Sequence, residues 1–468
     1  MEDLTAEAIK SAQAMLKVNQ MINKLDDVTG PKAILDSIKE YEKELEKLQE
    51  RMAGYSQFDI DGQSDVYKQD KESIEELRNS INAAKDDLRN YYMQQEAEKI
   101  AIDNLKQKAK DKVTAEKTAA KEAAEAVKQA ARDKAAAEKQ AAEEEKQEKI
   151  AAMERIIAAD YANIAGMVVL KDGECIYENY FGGCTEDSRI HVFSVTKSVV
   201  SVLIGIALDN GYIGGIDQRV LDFYPEYAPK RGEKTLQHIT LRDMLTMTAP
   251  YKYKSNPYTK YFTSEDWVTF SLDMLGGKGQ IGQFRYAPLI GPDVLTGILA
   301  KVAGQSVLDF ACENLFEPLG ITVERSVTFH SREEQMAFYK ATDMSVWAAG
   351  PTGVNAGGWG LTLSPIDMAK LGQLILNGGV WNGRRTVSEE WLRESTSEHS
   401  RWTERDLPYG YLWWVLEREH GCAAIGDGGN IIYVSPKKNM VVAIASRFRP
   451  MVKDRIEFIR EYVEPAFD

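Results

Sequence analysis

A hydroxyl and an amine stand three residues apart in Ser194-Val195-Thr196-Lys197, at the head of the apolar run Val199 to Leu208. A serine hydroxyl is a poor nucleophile until a base takes its proton. A lysine amine can be that base once its pKa falls, and apolar burial lowers it. On a helix, residues i and i+3 share a face, so Lys197 comes back over Ser194. The free N–H groups at that helix's N-terminus then lie beside the serine, where an oxyanion needs donors. Burying a lysine at the head of a core helix is otherwise costly. The pair therefore reads as a nucleophile and its base. A second Ser-x-x-Lys, Ser435-Pro436-Lys437-Lys438, sits between two strand-like runs and reads as a hairpin turn.

The elements around the pair alternate between short strands and helices. "GMVVLKDGECIYENYFGG" gives two strands about the turn Lys171-Asp172-Gly173. "LQHITLRDMLTMTA" leads into a helix over Leu241 to Met247, "PDVLTGILAKVAGQSVLDFACENLFEPLGI" gives two helices, and "SPIDMAKLGQLILNGG" gives one with Ser364 as its N-cap. "YGYLWWVLERE", "CAAIGDGGNIIYVSP" and "KNMVVAIASRF" read as three antiparallel strands, and "KDRIEFIREYVEPAFD" closes as a helix. Strands at both ends with helices between make an α+β arrangement.

The chain changes character near residue 155. Thirteen of the fourteen prolines, every tryptophan and every histidine lie beyond it. The earlier part is helical, broken at Thr29-Gly30-Pro31 and between Gly54 and Gly62. Two of its segments carry apolar side chains at alternating steps of three and four. They are Ile34, Ile38, Tyr41, Leu45, Leu48, Met52 and Ile74, Leu77, Ile81, Ala84, Leu88, Tyr91. Such stripes suit a helical hairpin packed on itself and a dimerising coiled coil equally. Leu4 to Val28 can supply a third helix. From Gln94 to Ile150 the chain is rich in Ala, Lys and Glu, a helix with little to bury that would extend roughly 85 Å. The expected organisation is a helical bundle or coiled coil over 1–93, a long helix over 94–155 and a mixed domain over 156–468.

With 468 residues, 44% of them hydrophobic and 28% charged, the chain has the composition of an ordinary globular protein. A net charge of −14, with no basic patch, argues against a nucleic-acid partner. The longest apolar run is too short to span a bilayer. The acidic opening "MEDLTAEAIK" has no apolar core, so a cytoplasmic location is expected. Cys175, Cys184, Cys312 and Cys422 lack metal-ligand spacing and read as free, buried thiols; no metal or cofactor is expected.

The run "IHVFSVTKSVVSVLIGIALDNGYIGGIDQRVLDFYPEY" resembles the Ser-x-x-Lys segment of the serine β-lactamase-like and penicillin-binding-protein family, class C type. "ITLRDMLTMTA", "AGGWGLTLSPIDMAKLGQLILNGG" and "YGYLWWV" resemble its later segments, so the resemblance covers about Ala162 to Asp468. It implies an antiparallel sheet flanked by helices, with Ser194 as nucleophile and Lys197 as proton acceptor. The family's Tyr-x-Asn motif matches Tyr286-Ala287-Pro288, where the tyrosine is kept and proline replaces asparagine. Pro288 lacks the side-chain hydrogen bonds that asparagine makes to the lysine and substrate. The family's Lys-Thr-Gly or His-x-Gly strand matches Asp427-Gly428-Gly429-Asn430, with an aspartate in place of a cation. That match implies substrate contact along Asp427, Gly428 and Gly429, and pairs the Asn430 N–H with the Ser194 N–H as an oxyanion hole.

The expected function is a serine hydrolase that passes through an acyl-enzyme on a small ester or amide, peptide and β-lactam-like amides included. The altered second and third motifs argue against a carboxylate-bearing substrate. The alternative is a catalytically impaired module of the same fold, serving in binding or assembly through its N-terminal helices, which are also the expected route to a homo-oligomer.

Overall fold

This computed structural model describes residues 31–55, 65–93 and 99–467, so the helix expected over Leu4 to Val28 lies outside the described residues. The chain divides into two compact units between Glu145 and Lys146.

In the first unit, helix α1 (Pro31–Ala53) opens on a proline, whose missing N–H costs nothing at a first helical position. Helix α2 (Asp65–Met93) follows. The two apolar stripes meet in one buried cluster, Ile34, Ile38, Tyr41, Leu45 and Leu48 against Ile74, Leu77, Ile81, Ala84 and Leu88. Ion pairs of Arg51 with Asp70 and of Lys85 with Glu42, the latter at 2.9 Å, set the helices antiparallel. Of the two arrangements open to the stripes, the described residues take the hairpin.

Helix α3 (Lys99–Asp160) carries the Ala/Lys/Glu-rich stretch. It runs beyond residue 155 because Met153 and Ile157 join the large core of the second unit, beside Tyr161. That unit is built on β1 (Ile164–Lys171), β2 (Glu174–Tyr180), α4 (Val195–Asp209), α5 (Asp293–Ala303) and α6 (Pro365–Leu376). The strands β3 (Ser400–Trp402), β4 (Leu407–Tyr409), β5 (Trp414–Leu416), β6 (Gly421–Gly426), β7 (Asn430–Ser435) and β8 (Met440–Ser446) follow.

One antiparallel sheet takes the order β2-β1-β8-β7-β6-β5-β4-β3. Strand β8 is buried at every position, which requires cover on both faces. Helix α6 packs on β8, β7 and β1, and α4 on β6 and β7. Ser364 caps α6, accepting from Asp367 N–H at 3.1 Å. Helix α4 is buried on all sides, every residue from Val195 to Ala207, the polar Thr196, Lys197, Ser198 and Ser201 included. That marks it as the central helix of the unit.

Three expectations change. "CAAIGDGGNIIYVSP" is two strands, β6 and β7, joined by the tight turn Asp427–Gly429. Gly428 and Gly429 take φ of 79° and 87°, a left-handed bend that a continuous strand excludes. Strands β3 and β4, three residues each, were too short to register as alternation. Cys175 is exposed, since β2 is the edge of the sheet; none of the four thiols is in a disulfide. Ser435 to Lys438 is the turn into β8. No single helix among the described residues is long and apolar enough to cross a membrane.

The hairpin is testable. Residues 1–150 alone should be strongly helical and melt cooperatively. Ile81 is fully buried, so Ile81→Asp, which puts an unpaired carboxylate there, should abolish the transition. Circular dichroism reads both; a random-coil spectrum for the unsubstituted fragment would make the stripes accidental.

Candidate active site

The site begins at a strained turn. Phe193 has φ of 50°, in the left-handed region that a bulky residue enters at a cost of about 1–3 kcal/mol. Its ring is held 4.0 Å from the His191 ring and 5.5 Å from that of Tyr339. The turn sets Ser194 as the N-cap of α4, yet its side chain caps nothing. The hydroxyl is instead 2.8 Å from Lys197 Nζ.

Lys197 is 1% exposed. Its amine also donates to the carbonyls of Pro288 at 2.6 Å and Gly358 at 2.9 Å. Burial pushes its pKa down to about 7, while the charges of Asp427 and Asp293 pull it up. Pro288 thus fills the asparagine's place by a different atom. It has no side-chain acceptor, but its main-chain carbonyl reaches the lysine.

Tyr286 precedes that proline by two residues. Its neighbours hold it: Arg285 N–H donates to Met247 O at 2.7 Å, and Ala287 N–H reaches Met247 Sδ at 3.4 Å. The Tyr286 phenol is raised by burial and opposed by a hydrogen bond with Ser194. Its ring centroid lies 5.1 Å from Lys197 Nζ. Ser194, Lys197 and Tyr286 are therefore brought together.

Asp427, Gly428 and Gly429 line a cleft of about 630 Å³ with Ser194, Tyr286 and Trp414. Asn430 does not line it, which corrects its expected place in an oxyanion hole. It is fully buried just past the turn. Its side-chain amide donates to Asp427 O at 2.7 Å and Ser446 O at 3.2 Å, and its Oδ1 accepts from Ser446 N–H at 2.8 Å. Asn430 braces the turn. The strand residue beside the Ser194 amide is Gly426, where a Cβ would stand 3.2 Å from Ser194 N and 2.1 Å from Val192 O. Only glycine permits that approach.

Two contributors escaped the sequence reading. The Gly-Gly-Trp-Gly run of residues 357–360 supplies the Gly358 carbonyl. It is stitched to the nucleophile's segment by Gly360 N–H to His191 Nε2 at 3.0 Å and by Val192 N–H to Leu361 O at 3.0 Å. A Cβ at Gly358 would press within 3.1 Å of Pro288 O, so the two lysine acceptors are neighbours. Asp293 is the other. It is buried, accepting from Tyr261 OH at 2.7 Å and Gly357 N–H at 2.8 Å, and burial raises its pKa to about 7. Its sequence position, an acid after proline at a helix start, is too ordinary to single it out. The closely packed glycines were the better signal.

Lys197 should therefore titrate near pH 7, well below its ordinary 10.5, and be mostly neutral above that. Asp293→Asn keeps an acceptor for Gly357 but removes a negative charge, so the midpoint should move lower still. Lysine-selective NMR titration checks this. A midpoint near the ordinary value, or one unmoved in Asp293→Asn, would contradict the electrostatics.

A family model described as Beta-lactamase matches residues 153–463. A 6-aminohexanoate-dimer hydrolase from Paenarthrobacter ureafaciens is 25% identical over 297 residues, covering 59% of this chain and 70% of that protein. Among solved structures, a penicillin-binding protein homologue from Caulobacter crescentus superposes with a TM-score of 0.51 at 19% identity, covering 68% of this chain and 98% of that one. A family VIII carboxylesterase superposes with a TM-score of 0.50 at 16% identity, covering 68% and 97%. These similarities to solved structures speak for the fold. With the model spanning most of the second unit, the chain belongs to the Beta-lactamase family.

Proposed function

We propose that the second unit is a serine hydrolase in which Ser194 attacks, Lys197 takes its proton and Tyr286 relays that proton to the leaving group. The observation that carries this reading is the bonding of Lys197. A neutral amine has two N–H donors and one lone pair. Lys197 Nζ donates to Pro288 O and Gly358 O, and its third contact is the Ser194 hydroxyl at 2.8 Å, which the lone pair meets once the amine has lost its proton. A protonated lysine would have no acceptor capacity to offer.

The steps follow from that arrangement. The Ser194 O–H proton passes to Lys197 Nζ as Oγ bonds to the substrate's carbonyl carbon. The carbonyl oxygen gains the electron pair beside the Ser194 N–H, at the positive end of α4. When the pair returns, the bond to the leaving alcohol or amine breaks, and the leaving group takes the proton from Lys197 through the Tyr286 hydroxyl. Water then attacks the acyl ester along the same path, giving its proton to Lys197. Oγ departs and recovers a proton, and the acid is released.

A small ester or amide suits a cleft of this size, and the similar proteins named above include a 6-aminohexanoate-dimer hydrolase and a carboxylesterase. Pro288 and Asp427 both favour the alternative of a catalytically impaired assembly module, and the Pro288 part of that support is the one the structure bears on. That support weakens because the Pro288 carbonyl serves the lysine.

Covalent labelling tests the reading. A serine-directed fluorophosphonate should add once, at Ser194, and Ser194→Ala should abolish the adduct. Lys197→Ala should slow labelling by at least about a hundredfold, the usual contribution of a positioned base. An unlabelled, well-folded protein in intact-mass spectra would favour the impaired module instead.

The substrate's charge makes a second test. Asp427 repels a carboxylate at the cleft, so p-nitrophenyl acetate should be hydrolysed with a higher kcat/KM than a penicillin. A carboxylated β-lactam preferred over the neutral ester would mean that Asp427 does not face the substrate.

A further inference from the structure

Asp427 projects from the tip of the β6–β7 turn, exposed, into the cleft that holds Ser194. Its carboxylate makes no ion pair or hydrogen bond among the described residues. Three of the four cations that line the cleft have other partners. Lys453 pairs with Asp160 at 2.9 Å. Arg455 donates to Asn163 Oδ1 at 2.9 Å and Lys453 O at 3.1 Å. Arg405 lies over the Trp402 ring at 4.7 Å, and Lys197 is held by its own three partners. Arg449 alone of the cleft's cations has no partner among the described residues.

Aromatic side chains line the same cleft as this carboxylate: Tyr286, Trp402, Trp414 and Phe448. The Phe448 backbone abuts the turn, 3.1 Å from where a Gly428 Cβ would stand, and its ring lies 5.2 Å from Phe193. Phe448, which lines the cleft, is 46% exposed, a large ring left open there. An unpaired carboxylate amid open aromatic faces suits one class of ligand. Organic ammonium groups are bulky, weakly hydrated cations that gain from ring faces and from a nearby negative charge together. A metal ion would need more oxygen or nitrogen ligands than one carboxylate offers.

We propose that Asp427, with Phe448, forms a subsite for an organic ammonium group, so that the preferred substrate is an ester or amide carrying a cationic nitrogen. This rests on the hydrolase reading for its chemistry. The subsite itself is a binding feature and can be tested apart from turnover.

Two measurements do so. The first compares kcat/KM for three p-nitrophenyl esters of matched length: the neutral pentanoate, the cationic 4-(trimethylammonio)butanoate and the anionic hydrogen succinate. The cationic ester should lead the neutral one by about tenfold, an effect worth roughly 1.4 kcal/mol, and the anionic one should trail. The ratio of cationic to neutral should collapse in Asp427→Asn and fall by a smaller factor in Phe448→Ala. A lead for the succinate ester would assign recognition to Arg449 and overturn the proposal.

The second measurement titrates Ser194→Ala with the corresponding cationic and neutral N-methylamides, following tryptophan fluorescence, since Trp402 and Trp414 line the cleft. Tighter binding of the cationic amide, lost in Ser194→Ala/Asp427→Asn, is the expected result. Equal binding of the two amides overturns the subsite whatever the esters do. If cation-selective binding persists while no ester is turned over, the hydrolase reading falls and the subsite stands.

Discussion

The structure turns on keeping one buried amine uncharged. Lys197 sits at 1% exposure with no carboxylate bonded to it, and its partners are two carbonyls and a hydroxyl. A buried ammonium would need far stronger compensation than neutral dipoles supply. The amine resolves this by surrendering its proton near neutrality. The three partners come from three separate stretches of chain: the start of α4, the loop before α5 and the glycine run before α6. Bringing them within 3 Å of one nitrogen constrains how these elements pack.

Several otherwise unrelated features follow from that constraint. Gly357 and Gly358 lack side chains because the loop at Pro288 to Pro292 occupies the space where a Cβ would go. Asp293 ties the two stretches together through Gly357 N–H, and Tyr261 holds Asp293 from the other side. The left-handed turn at Phe193 lifts the Ser194 hydroxyl away from capping duty and toward the lysine. Unfavourable local choices of this kind persist only where the surrounding packing determines them, which is why they gather at the site.

Much of this was legible from side-chain chemistry and little from anything the backbone does. Ser-x-x-Lys ahead of an apolar helix named two partners at once. The alternating stripes of α1 and α2 foretold which residues are buried there, because helical periodicity is a local property. Pro288 misled because the motif was read as a side chain, whereas the lysine needs only an oxygen, and every residue has a carbonyl. The turn at Asp427–Gly429 misled because the apolar residues on either side suggested one strand. Two adjacent glycines before an asparagine, both left-handed, make a hairpin of the same letters. Asp293 could not be found at all, since its burial is set by Tyr261 and Gly357, each more than thirty residues away.

The two aspartates give the site a balance that neither alone provides. Burial drives the proton off Lys197, while Asp427 and Asp293 both draw it back. Asp293 is interior, so its influence does not depend on what occupies the cleft. Asp427 is exposed in the cleft, so its influence depends on what occupies the cleft. In the proposed subsite, an ammonium group on Asp427 would offset the negative charge that draws the proton back to Lys197, leaving more of the amine unprotonated when substrate is bound. A carboxylate in the same place would be repelled by Asp427 and would itself draw the proton back to Lys197, weakening binding and chemistry together. Recognition and base strength are then coupled through one side chain, and the replacement of a cation by Asp427 has a consequence beyond the choice of substrate.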